Sequence, residues 1–482
     1  MSVYEQFQQG YYIITGILIY FTIGPPRKSW TLEQFLVVYI LRNTMFGKVD
    51  DLDKGRKKLL DLGISYPKDS QLKKATIHSK YRQQAHEIIK EHLKTEYGDD
   101  AWYDEISLWS NSKPLEAEWL IPNHLTLTPE SNIIFYLFGG GHVFGDFCTY
   151  RSKVEVYANI SDSIVFGASY RLAPEYSAPC QLEDLLAQIL YLTSPIEENN
   201  PEESGCGISL DQIVVAGDSA GGNLSSVLLH FMRDTNFGKF AGAVLYSPWL
   251  DVSGTQSTLI TCQNCDYLPE IGTVSPTKGH TLDNCDGNYR ICHDASNEQV
   301  RKAIIKRGHI YVPIKYVNSP LASPLSDTNF RGLPPILMAT GDSEVLHLDT
   351  VLYHEAINKS YTEEELNQAQ IPPVTTHFYE DMFHCFQNVL PELDVSKACF
   401  NRVGHFIKQC FNKKSSKFDE IKKDYPINIS LVNSETNDKT EDDHKWTNFY
   451  FNDLKNNLTP FKPNFKTNPI LPWDPVINVN LQ

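Results

Sequence analysis

The sequence predicts a protein of the α/β class, in which a mostly parallel β-sheet carries helices on both faces. From about residue 116 to residue 413, short apolar segments alternate with helical patterns, which is typical of such sheets. Two of the apolar segments run directly into glycine-rich turns, at residues 139–141 and 217–222. Hydrophobic residues make up 41% of the 482 positions and charged residues 21%, which fits a globular chain with a large core.

The individual elements follow from the local patterns. Short runs rich in β-branched and aromatic residues predict strands at residues 132–137, 163–168, 212–216, 243–246, 336–339 and 375–379. Helical periodicity predicts helices at residues 71–94, 182–192, 221–233, 350–358 and 395–411. This order places a strand before each glycine turn and a helix after the second one.

Composition divides the chain into four regions. They are an apolar N-terminal segment (1–45), a charged region expected to form a helical cap (46–115), the α/β domain (116–413) and a polar extension expected to be partly disordered (414–482). A polar, cysteine-containing insertion interrupts the α/β domain at residues 254–300.

The N-terminal segment carries a membrane signal. Residues 6–26 contain no charge, and a strongly apolar run covers residues 11–23. That run is short for a membrane span of about 20 residues, although the uncharged stretch is long enough. A basic pair follows, and no small-residue cleavage site is evident. We expect membrane association through residues 6–26, as an anchor or a surface-lying helix. The alternative is a buried helix that caps the functional site.

Charge and cysteine content exclude some partners. The formal net charge is −16, without a basic stripe, so no nucleic-acid partner is expected. Four cysteines, at positions 262, 265, 285 and 292, fall close together. Their spacing departs from that of zinc sites, and no metal is expected. Whether they form disulfides or stay as thiols is open at this point.

The strongest chemical signal is Ser219. Gly217, Ser219 and Gly221 form a G-x-S-x-G pattern directly after a strand and before a helix. That context exposes a nucleophilic serine on a tight turn at the top of an α/β-hydrolase sheet, beside a helix N-terminus that favours negative charge. The structural alternative is a serine that caps the helix.

A second signal is the glycine run at residues 139–141, which also follows a strand. Consecutive glycines let a backbone approach a ligand closely and turn its N–H groups toward it. Such donors can hold the negative charge that develops on an attacked carbonyl oxygen. The run lacks the Lys-Ser/Thr of a nucleotide-binding loop, which argues against a phosphate site.

The remaining signals are an acidic loop and a histidine. Asp342, Glu344 and Asp349 follow the strand at 336–339, and each is a candidate for the carboxylate that orients a histidine. His384 lies shortly after the strand at 375–379. The order serine, acid, histidine along the chain is the order expected for α/β-hydrolases.

Together these blocks resemble the hormone-sensitive-lipase-like (GDXG) branch of the α/β-hydrolases. The resemblance covers roughly residues 115–411. It rests on GDSAGG (217–222), the triple glycine, YRLAPE (170–175), SPWLD (247–251) and the block at 332–346. The N-terminal layout at residues 24–32 is similar to that of the fungal steryl acetyl hydrolases of this branch.

The resemblance implies a role for each matching residue. Ser219 matches the nucleophile, His384 the base and Glu344 the acid, in preference to Asp342. The oxyanion donors match the backbone N–H groups of Gly140, Gly141 and Ala220. One departure concerns the family histidine that precedes the glycines, because Phe138 stands there and His142 follows the run instead. That puts the loop geometry and substrate fit in doubt more than the reaction class.

The function implied is a serine carboxylic ester hydrolase that needs no cofactor and acts on a small lipophilic ester. The closer likeness to the fungal enzymes implies deacetylation of sterol acetates at the endoplasmic reticulum membrane. The alternatives are a catalytically inactive ligand-binding protein on the same fold and an acylglycerol lipase. The sequence leaves the acyl length, the alcohol and the membrane topology open.

Overall fold

The computed structural model describes residues 3–44, 52–98, 114–256, 258–268, 307, 309–412 and 430–432. The strands of these residues are β1 (Ser70–Ile77), β2 (Leu115–Pro122), β3 (Ile133–Leu137), β4 (Ile164–Gly167), β5 (Ile213–Asp218), β6 (Gly242–Tyr246), β7 (Ile336–Gly341), β8 (Val374–Tyr379) and β9 (Ser430–Val432). They form one nine-stranded sheet in the order β1-β2-β4-β3-β5-β6-β7-β8-β9. From β4 to β9 the neighbours are parallel, whereas β2 runs antiparallel to both β1 and β4.

Helices cover both faces of this sheet, as the sequence predicts. They are α1 (Val3–Thr22), α2 (Leu32–Thr44), α3 (Leu52–Gly63), α4 (Ser79–Tyr97), α5 (Arg151–Ser161), α6 (Cys180–Thr193), α7 (Ala220–Asp234), α8 (Thr258–Thr261), α9 (His347–Lys359), α10 (Glu363–Gln368), α11 (Phe386–Val389) and α12 (Asp394–Phe411). One layer contains α4, α6 and α7, and the other contains α5 packed on α12. The middle strands β3, β5 and β6 are buried along their whole length. Because β5 is the central strand of the nine, the turn that follows it lies at the middle of the sheet's carboxyl edge.

The predicted helix at residues 71–94 is wrong over its first turns. Residues 70–77 form β1, which pairs with β2 along its whole length, and the helix begins only at Ser79. Most of β1 is exposed, and only Ala75 and Ile77 face the core. The lysines of this edge strand made the pattern look helical, whereas pairing with a distant segment decides its structure. The region expected to be a helical cap therefore contributes a strand to the sheet.

The N-terminal helices α1 and α2 pack against each other. Tyr20 of α1 contacts Phe35, and the Tyr12 ring meets Tyr39. A stripe on the opposite side of α1 is open to solvent, with exposed fractions of 63% for Tyr11, 62% for Ile14, 58% for Leu18 and 73% for Phe21. None of the helices among the described residues combines the length and apolar character that crossing a membrane requires.

Two sequence expectations fall largely outside the described residues. Of the 414–482 extension, only residues 430–432 are described, and they add β9 to the edge of the sheet. Cys285 and Cys292 also lie outside. Cys262 and Cys265 are free thiols, and both are buried rather than on the surface of the insertion.

Candidate active site

Ser219 lies in the sharp turn between β5 and α7. Its φ of 54° is in the left-handed region, which a non-glycine residue adopts only where the surrounding structure imposes it. The adjoining helix approaches β3 so closely that a Cβ on Gly221 would lie 2.1 Å from the carbonyl oxygen of Leu137. Glycine at 221 is therefore a steric requirement of the turn, which explains the motif in physical terms.

Backbone bonds fix the serine to the neighbouring strand. The Ser219 N–H donates to the carbonyl of Tyr246 (2.9 Å), and the Ser219 carbonyl accepts from the N–H of Trp249 (3.1 Å). The Ser219 residue itself is half-buried, and its hydroxyl bonds to none of the residues that the structure describes. The hydroxyl is thus available to a ligand.

The glycine loop faces the same end of the sheet. Gly140 has a φ of 124°, and its carbonyl accepts from Val143 and Phe144 (3.1 and 2.9 Å), which folds the loop back on itself. The N–H groups of Gly140 and Gly141 bond to no other described residue. Ala220 is the first residue of α7, where an N–H has no acceptor inside the helix. These are the three groups predicted to hold an oxyanion.

Asp218 joins the glycine loop to the serine turn, a role that sequence reasoning missed. Its buried carboxylate accepts from the hydroxyls of Tyr136 (2.8 Å) and Tyr150 (3.1 Å) and from the N–H of Gly139 (3.1 Å). Burial raises the pKa of Asp218, while the two tyrosine hydroxyls and Lys153 oppose that rise. The sequence signal that could have identified Asp218 was its position directly before Ser219 in the motif.

The departure at Phe138 is accommodated by stacking. The Phe138 ring lies on that of Tyr170, with centroids 4.2 Å apart, and the Tyr170 hydroxyl donates to the Phe138 carbonyl (2.6 Å). His142 is fully buried and stacks on Tyr311 at 3.7 Å, and neither of its ring nitrogens has a partner among the described residues. Burial lowers the pKa of His142 to about 3, so the ring is neutral.

Arg56 of α3 supports the same loop from the N-terminal region. Its guanidinium donates to the carbonyls of Val143 (2.8 Å) and Ala173 (2.6 Å) and forms a two-pronged ion pair with Glu175 (2.8 Å for each bond). Guanidinium is suited to this, because it presents several donors in one plane. The cap region thus holds the YRLAPE segment against the glycine loop.

The structure separates the three acid candidates, and the Asp349 carboxylate accepts from the N–H groups of Leu250 and Asp251 (2.9 Å each). Glu344 is completely buried at the end of β7, and its Oε2 lies 3.9 Å from Nδ1 of His384. The Asp342 carboxylate has other partners than the histidine, because it accepts from the N–H of Asp381 (2.7 Å) and the hydroxyl of Ser343 (2.9 Å). Burial raises the pKa of Asp342 to about 6. Glu344, rather than Asp342, therefore lies beside the histidine.

Three donors converge on the Glu344 carboxylate. Thr340 donates to Oε1 (2.7 Å), while the hydroxyl of Ser247 (2.6 Å) and the N–H of Gly341 (3.3 Å) donate to Oε2. The Ser247 oxygen also accepts from the N–H of Cys385 (3.1 Å). Ser247 has a φ of 42° and links the acid to the residue after the histidine. Sequence reasoning gave Ser247 no role, although its position in the family segment SPWLD could have indicated one.

His384 lies in the loop after β8 and is buried. Its Nε2 is 3.5 Å from Sγ of Cys385, and its Nδ1 has no hydrogen bond within the described residues. Burial lowers the pKa of His384, but Cys385 and Glu344 outweigh it and raise the pKa well above its usual value. Burial raises the pKa of Cys385 to about 11, so its thiol is protonated and uncharged at neutral pH. The Glu344 carboxylate is thus the anion next to this ring.

The loop that carries His384 is anchored by the N-terminal segment. The indole N–H of Trp30, a residue only 1% exposed, donates to the carbonyl of Asp381 (2.6 Å), and its ring packs edge-on against Phe383. Ser29 donates to the Asp381 carboxylate (2.5 Å), and Arg27 lies 3.6 Å from it. Residues before the α/β domain therefore hold the histidine loop in place.

The structure thus brings most of the predicted residues to one end of the sheet. Ser219, the glycine loop, Glu344 and His384 all follow the carboxyl ends of parallel strands. The acid and base are paired, whereas no hydrogen bond joins His384 to Ser219. Such bonds are often long before substrate binds. The arrangement has the nucleophile, the base with its carboxylate, and the amide donors that acyl transfer requires.

Comparison with known proteins is consistent with this geometry. A family model described as the alpha/beta hydrolase fold matches residues 134–269 and 274–388. An acetyl-hydrolase of Streptomyces hygroscopicus is 26% identical over 292 residues, which cover 61% of this chain and 79% of the relative. An arylacetamide deacetylase of Bos taurus is 28% identical over 270 residues, covering 47% of this chain and 63% of the relative. The crystal structure of an esterase from the bacterial hormone-sensitive lipase family matches with a TM-score of 0.54 and 23% identity, over 80% of this chain and 99% of that one.

Proposed function

This chain belongs to the α/β-hydrolase family, in its hormone-sensitive-lipase type, and on that premise we propose that it hydrolyses carboxylic esters with Ser219 as the nucleophile. It is a hydrolase of the esterase and lipase type. The observation that supports the assignment of roles is the buried pair of Glu344 and His384, which lies at the same edge of the sheet as a half-exposed serine whose hydroxyl bonds to no other described residue. Burying an ion pair costs solvation energy and contributes little to stability. A buried carboxylate beside a histidine is, by contrast, an arrangement suited to general-base catalysis.

The reaction proceeds by acyl transfer to the serine and then to water. Ser219 Oγ attacks the ester carbonyl carbon while Nε2 of His384 takes its proton, and the carbonyl oxygen gains the negative charge. The N–H groups of Gly140, Gly141 and Ala220 hold that charge. His384 then gives the proton to the departing alkoxide, so an alcohol leaves and an acyl-serine remains. A water molecule repeats the sequence and releases the acid.

Two distances must shorten for the first step. The contact between Nδ1 of His384 and Oε2 of Glu344 closes from 3.9 Å to about 2.8 Å, the length of a charge-assisted hydrogen bond. Nε2 exchanges the Cys385 thiol for the Ser219 hydroxyl. We infer that a rotation of the imidazole on substrate binding accompanies both changes.

We propose acetyl esters of lipophilic alcohols, including sterol acetates, as the substrate class. Two relatives are named for removing acetyl groups, the bacterial acetyl-hydrolase and the bovine arylacetamide deacetylase. Aromatic side chains surround the site, with Tyr267 and Phe383 beside His384, and Trp249 and Tyr311 beside the glycine loop. Rings of this kind favour a large apolar alcohol over a charged one.

We also propose that α1 lies on a membrane surface, at the endoplasmic reticulum. Tyr11, Ile14, Leu18 and Phe21 are spaced by three and four residues and form one exposed stripe, while the other side of the helix packs on α2. A stripe of this kind inserts shallowly into the boundary between headgroups and acyl chains. Such a position delivers a membrane-dissolved ester to the site.

Hydrolysis is tested with the purified full chain, p-nitrophenyl esters of increasing acyl length, sterol acetates and acylglycerols. The expected result is Ser219-dependent turnover, fastest with acetyl esters, and labelling of Ser219 by a fluorophosphonate. Ser219→Ala removes both, whereas Ser209→Ala, at the opposite end of β5, changes neither. Equal turnover by Ser219→Ala refutes the proposal, and binding of esters without any turnover supports the inactive ligand-binding alternative. A preference for long acyl chains on glycerol supports the lipase alternative.

Membrane binding is tested by co-sedimentation with vesicles of phosphatidylcholine and phosphatidylinositol. Leu18→Glu combined with Phe21→Glu is expected to abolish sedimentation, because charge on the stripe opposes insertion. Ile196→Glu changes an equally exposed apolar residue away from α1 and is the matched control. Sedimentation that survives the double change, or that Ile196→Glu removes as well, overturns the role of α1.

A further inference from the structure

One part of the insertion lies directly on the loop that carries the acid. The hydroxyl of Thr258 donates to the carbonyl of Val345 (2.8 Å), and the carboxylate of Asp266 accepts from the N–H of Val345 (2.9 Å). Val345 follows Glu344 in the chain. Both backbone groups of the residue next to the acid are therefore held by side chains of residues 258–268, which the sequence suggested only as a polar interruption.

Apolar contacts reinforce this attachment. Leu259 and Cys262 of the insertion form a small buried cluster with Val345 and Leu346. Because these buried side chains pack directly against one another, a shift of the insertion would move the acid loop with it. The insertion thus acts on the site mechanically as well as through hydrogen bonds.

Asp266 is fully buried, one residue before the aromatic ring that packs beside the catalytic base. One of its oxygens also accepts from the N–H of Tyr267 (2.7 Å), whose ring centroid lies 5.9 Å from that of His384. Burial raises the pKa of Asp266 to about 6, opposed first by the positive charge of His384 and reinforced by Glu344. At pH 7 and above, Asp266 is therefore mostly ionised, close enough to the imidazole to interact with its charge.

The other groups facing His384 come from three further places. Glu344 follows β7, Asp218 ends β5, and Cys385 is the next residue in the chain. Two hydroxyls and a backbone N–H already bind the Asp218 carboxylate, and the Cys385 thiol is neutral. Three carboxylates therefore favour a positive charge on this ring: Asp218 from the serine turn, and Glu344 and Asp266 from the acid loop and the segment that holds it.

We propose that Asp266 is a further carboxylate for the catalytic base, a positioning residue that holds the loop of Glu344 and adds negative charge beside the protonated His384. The inference rests on the proposed function and deepens it. Because the imidazolium forms as the serine attacks, a further anion lowers the energy of that state. The same anion makes the resting ring easier to protonate, so it sets the lowest pH at which the base is available.

The test is the pH dependence of kcat/KM for p-nitrophenyl acetate. Asp266→Asn keeps the shape and one acceptor for the Val345 N–H but removes the charge. Without that charge the imidazolium of His384 is less stable, so the acid limb of the kcat/KM profile, where activity falls as His384 is protonated, moves to lower pH by about 0.5–1 unit. The maximal kcat/KM, reached at higher pH, falls as well. Thr258→Val removes the other bond to Val345 without changing any charge, so it lowers activity but leaves the limb in place.

An acid limb in Asp266→Asn that coincides with the wild-type limb overturns the inference, as does an equal shift in Thr258→Val. Should Asp266→Asn not fold, Asp266→Ser is read in the same way, because its hydroxyl is neutral and smaller. Turnover by the wild type that depends on Ser219 distinguishes a failure of the proposed function from a failure of this inference. Its absence refutes the proposed function, whereas normal turnover with an unmoved limb refutes only the role of Asp266.

Discussion

Replacing Glu344 with glutamine removes the negative charge nearest the base while keeping its shape. The two groups are 3.9 Å apart, and unit charges at that distance interact by about 4 kcal/mol at an effective dielectric constant of about 20. That energy corresponds to a loss of about 10³-fold in kcat/KM, since about 1.4 kcal/mol is a factor of ten. The imidazolium also loses stability, so the acid limb of the pH profile moves to lower pH.

The glutamine has a second cost that a stability measurement detects. Three donors converge on the Glu344 carboxylate, and an amide offers one oxygen where a carboxylate offers two. One donor then faces an NH₂ group, which costs about 1–3 kcal/mol of unfolding free energy. Thermal melting at the assay pH measures this loss separately from the loss of turnover, so a folded but slow variant is distinguishable from an unfolded one.

Asp342→Asn is the matched control for Glu344→Gln. It changes a carboxylate two residues away whose partners are Asp381 and Ser343 rather than His384. We expect it to retain turnover within about tenfold, because its amide oxygen still accepts from the Asp381 N–H. The reasoning is refuted if Asp342→Asn loses more turnover than Glu344→Gln, or if Glu344→Gln stays within tenfold of the wild type while Ser219→Ala is inactive.

Four further outcomes follow from the contacts. Ser247→Ala lowers kcat about 10–100-fold with a smaller change in KM, because the acid loses a donor and the histidine loop an acceptor; unchanged kcat counts against it. Arg56→Met leaves two carbonyls unpartnered, so thermal melting falls by an amount equivalent to about 1–3 kcal/mol and turnover falls with it. Trp30→Phe keeps an aromatic ring but loses the indole N–H bond to the Asp381 carbonyl, which lowers the free energy of unfolding in urea by about 1 kcal/mol. Trp30→Ala lowers it by about 3–5 kcal/mol. Asp342→Asn stabilises the protein at pH 8 relative to the wild type and not at pH 4.

The sign of the last outcome follows from the direction of the shift. Burial raises the pKa of Asp342 from 3.8 to about 6, so the folded state binds the proton more tightly than the unfolded state. The associated stability is complete below pH 3.8 and is lost as the pH rises through about 6, a loss of about 3 kcal/mol at most. Asparagine does not ionise and escapes that loss. A difference between the two proteins that does not grow from pH 4 to pH 8 contradicts the shift.

The sequence by itself determined the six central strands β3 to β8, the serine turn and the order of the reacting groups. Strand-helix alternation and the G-x-S-x-G pattern are local features, and a Cβ on Gly217 would lie 2.4 Å from the carbonyl oxygen of Gly221 within the turn itself. The histidine was placed by its position after a strand, because side chains that follow parallel strands share one edge. The choice of Glu344 over Asp342 as the acid came from family resemblance, and in the structure Glu344 lies 3.9 Å from His384.

Only the tertiary structure decided which distant segments hold those groups in place. Residues 70–77 look helical but form a strand, because their pairing partners lie 38 to 52 positions further along the chain. Trp30, Arg56, Ser247 and Asp266 each reach a loop far away in sequence, and no local pattern reports such a contact. Periodicity and motifs record what a residue does with its near neighbours. The burial, charge and hydrogen bonds that position a base depend on segments that meet only when the chain has folded.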